Sequence, residues 1–128
     1  MMNKWDTPID FDANFKIGVV KGAYQNLREI SQGGPVVGSL LIDGKQISGY
    51  SFGGPSLYQN EYLYVPALIR INKFIGGWGF KLAKINIQNL DFELLGESKD
   101  LIFMNKIEDN RLYYFEDISK KKYNYYEI

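Results

Sequence analysis

Three acidic residues in the stretch DFELLGESKD (residues 91–100), Glu93, Glu97 and Asp100, are the first candidates for catalysis. Two carboxyl groups that face each other across a cleft can cleave a glycosidic bond when one of them stays protonated. A glycine and a serine stand among these acids, and that mixture is typical of a solvated strand and its turn. We therefore interpret the three acids as surface residues without a catalytic role.

A second group of oxygen-bearing side chains, Glu108, Asp109 and Asn110, could bind a hard cation. The D-x-[DN]-x-[DN]-G spacing of a calcium loop is absent, and Asp-Asn is also a favoured turn sequence. The chain has no histidine and no cysteine, which excludes thiol nucleophiles, thiolate metal sites and histidine-dependent triads. The sequence thus predicts a non-catalytic protein, with no catalytic residue, no metal site and no cofactor.

The segment KKKYNYY (residues 120–126) combines three lysines with three tyrosines, which could contact phosphates and stack on bases. Fifteen basic and fifteen acidic residues cancel over the whole chain, and no basic stripe elsewhere matches this segment. We therefore predict that nucleic acid is not a partner.

Aromatic residues make up 16% of the chain, more than a core of this size is expected to hide. Tyrosine and tryptophan provide a large contact area with a polar tip, and they concentrate at interface hot spots. Residues 91–117 add an excess of charge, with eight acidic residues against three basic ones. We predict a partner-binding surface that contains Glu93, Glu97, Asp100, Glu108, Asp109, Tyr113 and Trp78.

Glycine pairs recur along the chain, in SQGGP (31–35), in SFGGP (51–55) and at 76–77. Their spacing is about the length of two strands and a turn, and Gly-Gly-Pro commonly marks the end of a strand. Neither Gly-Gly-Pro copy matches a phosphate-binding motif. We interpret them as the same turn used twice.

Short extended segments must position these residues. Asp43-Gly44 lies between two apolar runs and predicts a tight hairpin. Pro66 interrupts the alternating strand EYLYV (61–65) and suggests an edge position or a bend, while residues 66–75 fit either a strand or a helix. The segment AYQNLREIS has the spacing of a short helix, and FKLAKINIQ ends as a half-buried strand.

This pattern predicts an all-β fold, a single antiparallel β-sandwich or partly open barrel of about 8–10 short strands with one short helix at most. The length suits one domain, residues 1–128. Residues 1–13 could form an extended arm, and residues 120–128 could form an edge strand or a tail.

The chain resembles the small cytoplasmic immunity proteins with which bacteria neutralise toxins delivered by neighbouring cells. The resemblance lies in the strand-rich pattern and in the lines LYVPALI, GFKLAKINIQ and NRLYYFED, and no defining motif accompanies it. It implies an inhibitor that binds a toxin domain directly and covers its active site or substrate surface. An acidic surface would suit a basic nuclease, because charge complementarity speeds encounter.

Two other interpretations stay open. A carbohydrate-binding or small-ligand-binding β-sandwich would use Trp78 and neighbouring tyrosines as an aromatic platform, and a scaffold would associate with further copies of itself. The first residues contain acids where a secretion signal would need an apolar run, and no apolar run is as long as a membrane span. We therefore expect a cytoplasmic protein that does not bind membranes.

Overall fold

The computed structural model describes residues 5–72 and 77–128, and these residues form strands and turns without a helix. The all-β prediction is therefore confirmed. The strands in chain order are β1 (Asn14–Ile17), β2 (Val20–Glu29), β3 (Val36–Ile42), β4 (Lys45–Gln46), β5 (Leu57–Gln59), β6 (Tyr62–Asn72), β7 (Gly77–Asn86), β8 (Phe92–Lys99), β9 (Phe103–Glu108), β10 (Arg111–Phe115) and β11 (Tyr123–Glu127).

Three antiparallel sheets contain these strands. The first sheet has the order β1-β2-β3-β4, the second β5-β6-β7-β8 and the third β9-β10-β11. Within each sheet, every strand pairs with the strands next to it in the sequence, as expected for segments joined by short turns. Among the described residues none of the three sheets closes into a barrel, and the arrangement is sandwich-like.

Phe52 joins the first sheet to the second. It forms isolated bridges with Gly38 of β3 and with Ala67 of β6, so the two sheets continue into each other across one residue. The bridge to Gly38 has both backbone hydrogen bonds, at 2.8 and 2.9 Å. Phe52 is fully buried, so this seam lies within the core.

The second sheet is buried on both faces, because strand alternation sends its side chains into two separate cores. On β6, Leu63 and Val65 enter the core shared with the first sheet, whereas Tyr64 and Leu68 enter the core shared with the third sheet. The middle of β7 is likewise covered on both sides.

The alternation predicted for the end of FKLAKINIQ is present, since Ala83 and Ile85 are buried whereas Lys84 and Asn86 are not. Earlier on β7, Phe80 and Leu82 are buried on the opposite face, in the core shared with the third sheet.

The predicted helix over AYQNLREIS was wrong, since most of this segment belongs to β2. The register shifts between Gln25 and Arg28, where β2 has one more residue than its partner β3. Asn26 within this bulge has a φ of 55°. In a regular strand, side chains on one face are two residues apart. The extra residue of the bulge increases this spacing to three, which is also the spacing of apolar residues on one face of a helix.

Residues 66–72 are part of strand β6, which settles the alternative left open for this part of 66–75; residues 73–75 lie outside the described residues. Pro66 stands inside β6 opposite Leu82 of β7. On the side of β6 away from β7, β5 pairs only with residues 62–64, and the segment 51–53 lies next to the following residues of β6. There the Pro66 carbonyl accepts a hydrogen bond from the Gly53 amide at 2.8 Å. Pro66 is thus tolerated where the regular pairing with β5 has ended.

The hairpin at Asp43-Gly44 is confirmed, with φ angles of 49° and 79° between β3 and β4.

The two Gly-Gly-Pro segments are not the same turn. Gly33 lies in an exposed turn at φ 71°, whereas Gly54 is buried and precedes a cis peptide bond. A Cβ at Gly54 would lie 2.8 Å from the Phe11 ring, so this glycine permits a close core contact.

Parts of the predicted arm (within its described residues 5–13) and of the predicted edge strand or tail (120–128) pack onto the sheets. Phe11 is buried in the first core, and the Pro8 carbonyl accepts a hydrogen bond from Val36 of β3 at 2.9 Å. Within residues 120–128, β11 forms an edge strand of the third sheet.

Candidate functional site

Alternation in the third sheet separates two sets of aromatic side chains. On β10, Leu112 and Tyr114 point inward and are at most 1% exposed, whereas Tyr113 points outward. On β11, Tyr126 points inward. The rings on the other side of this sheet form what we call the tyrosine face, made of Phe103, Tyr113, Phe115, Tyr123 and Tyr125. Phe103 is the buried member of this set, at 5% exposed.

The rings of the tyrosine face contact one another across neighbouring strands. Tyr113 stacks on Tyr123 with centroids 5.6 Å apart and planes 14° apart, and it also meets Tyr125 at 5.8 Å. Phe115 meets Tyr123 at 4.8 Å. The Tyr123 hydroxyl donates a hydrogen bond to Oδ1 of Asn105 at 2.8 Å, which fixes that ring further. The face is therefore held in place before any partner arrives.

Cationic side chains lie over these rings. The Lys106 ammonium is 5.5 Å from the Tyr113 centroid, and the Arg111 guanidinium is 4.4 Å from the Tyr125 centroid. The Lys120 ammonium is 5.4 Å from the Phe103 centroid. Such contacts hold the charged groups against the ring surface while leaving them accessible to water.

The acids of this face are matched by bases. Lys106 forms an ion pair with Glu108 at 2.7 Å, and Arg111 forms one with Glu127 at 3.2 Å. The hydrogen bond and charge of Lys106 lower the pKa of the Glu108 carboxyl. The charges of Glu108 and Glu127 are thus compensated by neighbouring bases on the tyrosine face.

Asp117 orders the loop that carries Lys120 to the face. Its carboxylate accepts hydrogen bonds from the Ser119 hydroxyl at 2.6 Å and from the amides of Lys121 and Lys122 at 2.9 and 3.0 Å. These donors, the Ser119 hydroxyl first, lower the pKa of Asp117. Asp117, which belongs to the acidic stretch 91–117, thus acts within its own loop.

The structure brings only some of the predicted contact residues together. Glu108, Asp109 and Tyr113 belong to β9, β10 and their turn, where Asp109 has a φ of 51°. Glu93 and Glu97 lie on β8, and Asp100 directly follows that strand. The latter three are exposed and have no ion pair within the described residues.

Trp78 lies away from Glu93, but it is near the end of β8, where Lys99 pairs with Phe80 two residues further along β7. Trp78 pairs with Arg70 near the beginning of β7, whereas Glu93 faces Lys84 near its end. Six residues of extended chain separate the two positions, about 20 Å. Trp78 is 48% exposed, and the Arg70 guanidinium lies 5.6 Å from its ring centre. The predicted surface is therefore divided over different parts of the molecule.

Sequence reasoning missed an open pocket of about 300 Å³ near the turn between β7 and β8. Glu93 is part of its lining, together with Tyr62 and Lys84. The Lys84 ammonium lies 4.4 Å from the Tyr62 ring centre. The polar residues of the turn NIQNLD (86–91) were the available signal, but a turn sequence does not reveal which strands stand beside it.

The arrangement of the tyrosine face suits contact better than chemistry. Its rings contact one another and neighbouring cations, and Tyr123 and Tyr125 stay 49% and 42% exposed. Across residues 5–72 and 77–128, no group of three or more acidic side chains is placed to hold a metal ion. No helix in this part of the chain is long and apolar enough to cross a membrane.

No family model, no curated protein and no solved structure matches this chain.

Proposed function

We propose that this protein is a non-catalytic binding module that neutralises a bacterial toxin by direct contact, and that the tyrosine face is the contact surface. The observation that carries the proposal is the exposure of ordered rings: Tyr123 and Tyr125 are 49% and 42% exposed although both contact Tyr113. Preordered tyrosines lose little conformational entropy on binding.

The chemistry of the face favours a protein partner over a sugar at this place. Stacking on a sugar ring needs a free aromatic plane, and the planes of Tyr113 and Tyr125 already contact neighbours or Arg111. Protein interfaces instead combine tyrosine and arginine at their centre with a polar rim. The paired acids Glu108 and Glu127 supply that rim.

The acids on and beside β8 have a separate part in the proposal. Glu97 and Asp100 are exposed and without an ion pair among the described residues. Uncompensated carboxylates attract a basic partner from a distance and raise the association rate, with less effect on the lifetime of the complex. A basic toxin domain fits this arrangement, and cytoplasmic inhibition of such a toxin needs no catalytic group in the inhibitor.

The test is a growth assay in bacteria that produce a toxin domain, taken from the C-terminal region of the polypeptide encoded directly upstream of this protein. We expect the unaltered protein to restore growth and the double variant Tyr113→Ser, Tyr125→Ser to fail. Each truncated hot-spot tyrosine should weaken binding about tenfold or more, measured by calorimetry.

Tyr58→Ser is the matched control, because Tyr58 is also an exposed tyrosine but lies on β5. It should protect cells as the unaltered protein does. If the unaltered protein neither binds nor protects, the toxin proposal is wrong. If the double variant folds and protects fully, the tyrosine face is not the contact surface.

A further inference from the structure

The outer face of the first sheet carries an open groove of about 410 Å³, on a different sheet from the tyrosine face. Strand alternation decides which side chains line it. Tyr24, Leu40 and Ile42 point into the first core, so Ala23 of β2 and Leu41 of β3 point outward into the groove. The volume lies within the range of small-molecule sites.

The floor of this groove is apolar, because a small and an aliphatic side chain meet at its centre. Ala23 stands directly opposite Leu41 on one side and Asn14 of β1 on the other. The methyl group of Ala23 is shorter than both neighbouring side chains, so the sheet surface is depressed there. Ala23 and Leu41 are partly exposed. The depression can therefore take up the apolar part of a ligand.

Four polar side chains surround the floor, and the fold uses none of them. Asn14, Lys16, Lys21 and Gln25 are exposed and line the groove. In the part of the chain that the structure describes, these side chains make no hydrogen bond and no ion pair. All four can donate hydrogen bonds, and no carboxylate of the described residues lines the groove. The lining thus offers donors and positive charge to a ligand.

The two lysines indicate the charge of that ligand. Lys16 and Lys21 are cross-strand partners on the same face, where like charges destabilise a sheet. Asp43 lies next to Lys21, and its carboxylate accepts a hydrogen bond from the Lys21 backbone amide at 2.8 Å. Among the described residues it forms no ion pair with either ammonium group. An anion bound between the two lysines would relieve their repulsion.

The length of the groove limits the size of the ligand. From Lys21 to Gln25, β2 extends by four residues, about 13 Å. An alkyl chain of about ten carbons has this length, because its C–C bonds of about 1.5 Å form a zigzag. The ligand chemistry that matches the groove is therefore an anionic head with an unbranched apolar chain of this size.

We propose that the groove binds a free medium-chain carboxylate. The carboxylate lies between the ammonium groups of Lys16 and Lys21, and the alkyl chain lies over Ala23 and Leu41. The side-chain amides of Asn14 and Gln25 stay at the edge of the groove. This site does not depend on the proposed toxin binding.

The test is calorimetry of the intact protein with hexanoate, octanoate and decanoate, each below the concentration at which it forms micelles. We expect one site per chain and an affinity that increases about twofold to fourfold for each added CH₂ group, because the chain is partly buried in the groove. Decanol and decyltrimethylammonium have the same alkyl chain without the negative charge. Both should bind at least about tenfold more weakly than decanoate.

Two variants connect decanoate binding to the groove. Ala23→Phe fills the floor from the solvent side and should abolish binding. The double variant Lys16→Gln, Lys21→Gln should weaken decanoate binding about tenfold or more and leave decanol binding unchanged. Its urea midpoint should not fall, since the substitutions remove two facing like charges.

Lys45→Gln is the matched control. Lys45 is an exposed lysine of the same sheet, but it pairs with Ile42, whose side chain points into the core, and it does not line the groove. This variant should bind decanoate as the unaltered protein does.

Three results would overturn the proposal. The first is the absence of saturable decanoate binding to the folded protein. The second is equal binding of decyltrimethylammonium or decanol, which would remove the lysines from recognition. The third is tighter binding to phosphatidylglycerol vesicles than to decanoate, lost in the double lysine variant, which would make the face a membrane contact. Because the tyrosine face is not involved, each of these results leaves the toxin proposal untouched.

Discussion

The third sheet carries a stacked tyrosine pair on each of its faces, and the two pairs have different fates. Tyr114 and Tyr126 on the inner face have ring centres 4.8 Å apart and are 1% and 8% exposed. Tyr113 and Tyr123 on the outer face are 5.6 Å apart, and Tyr123 is 49% exposed. The same residue type on the same two strands thus belongs to the core on one side and to the surface on the other.

What separates the two faces is the layer above them. The second sheet covers the inner pair, and the buried Tyr126 hydroxyl lies beside the Tyr114 hydroxyl without meeting the geometry of a hydrogen bond in the described structure. Burial raises the pKa values of Tyr114 and Tyr126. The outer pair instead keeps access to solvent, and the Tyr123 hydroxyl is hydrogen bonded to Asn105. Inner tyrosines therefore stabilise the fold, and outer ones remain available to a partner.

The largest effect should come from truncating the inner pair. Tyr114→Ala leaves a cavity between the second and third sheets and should lower the free energy of unfolding by about 3–5 kcal/mol. Urea unfolding followed by fluorescence measures the loss. Tyr113→Ala, one position away on the same strand, is the control and should cost about 1 kcal/mol. Equal losses would show that the two faces do not differ as described.

A substitution beneath the inner pair should have the next largest effect. Gly96 on β8 has a φ of 74°, and a Cβ there would collide with the Tyr126 ring. Gly96→Ala should therefore lower the free energy of unfolding by about 1–3 kcal/mol. Gly44→Ala has a similar φ of 79° but nothing within 4 Å of the added Cβ, so the difference between the two losses isolates the collision. If both variants lose the same free energy of unfolding, a collision with Tyr126 does not explain the effect of Gly96→Ala.

Removing the unpaired hydroxyl should stabilise the protein. Tyr126→Phe deletes a buried polar group without a partner and should raise the free energy of unfolding by about 1 kcal/mol at neutral pH. Burial raises the pKa of Tyr126 in the folded protein. The stability that depends on a protonated Tyr126 is therefore fully present below about pH 10, the pKa of tyrosine in the unfolded chain, and is lost as the pH rises further. The variant should thus lose less stability than the unaltered protein between neutral and alkaline pH, measured by urea midpoints. Tyr125→Phe, on the outer face, serves as the control; an alkaline loss unchanged by Tyr126→Phe would contradict the assignment.

The smallest effect on stability should come from the outer face. Tyr125→Ala removes contacts with Tyr113 and Arg111 but opens no core cavity, and it should cost about 0.5–1 kcal/mol. Thermal unfolding measures this value in the same preparation used for toxin binding. A loss comparable to that of Tyr114→Ala would make the outer rings a structural element and weaken the proposed contact role.

Local sequence signals predicted the strands and several turns. Asp43-Gly44 and Asp109-Asn110 provide the positive φ angles that tight hairpins need, so short-range chemistry was sufficient there. The missed strand β2 shows the limit of such signals. The bulge near Asn26 is stabilised by pairing with β3, and periodicity alone cannot distinguish it from a helical turn.

The candidate sites needed tertiary information. Tyr113 was predicted as a contact residue, but the sequence could not show that Tyr123 and Tyr125, about ten residues later, lie beside it on the next strand. It also could not show that Trp78 and Glu93 point to different regions, since that follows from the pairing of β7 with β6 and β8. Pairing partners far apart in sequence are set by the whole core rather than by a local pattern.

The seam at Phe52 has a consequence for how the molecule opens. Between the first and second sheets, Phe52 makes the only strand bridges within the described residues, although the neighbouring amide of Gly53 and that of Leu68 also cross the gap. A boundary one residue wide is the natural limit of a cooperative unit, because few backbone hydrogen bonds must break to cross it. The buried core that the first and second sheets share opposes such a division, so we expect hydrogen exchange of the Gly38 and Phe52 amides to require opening of that core.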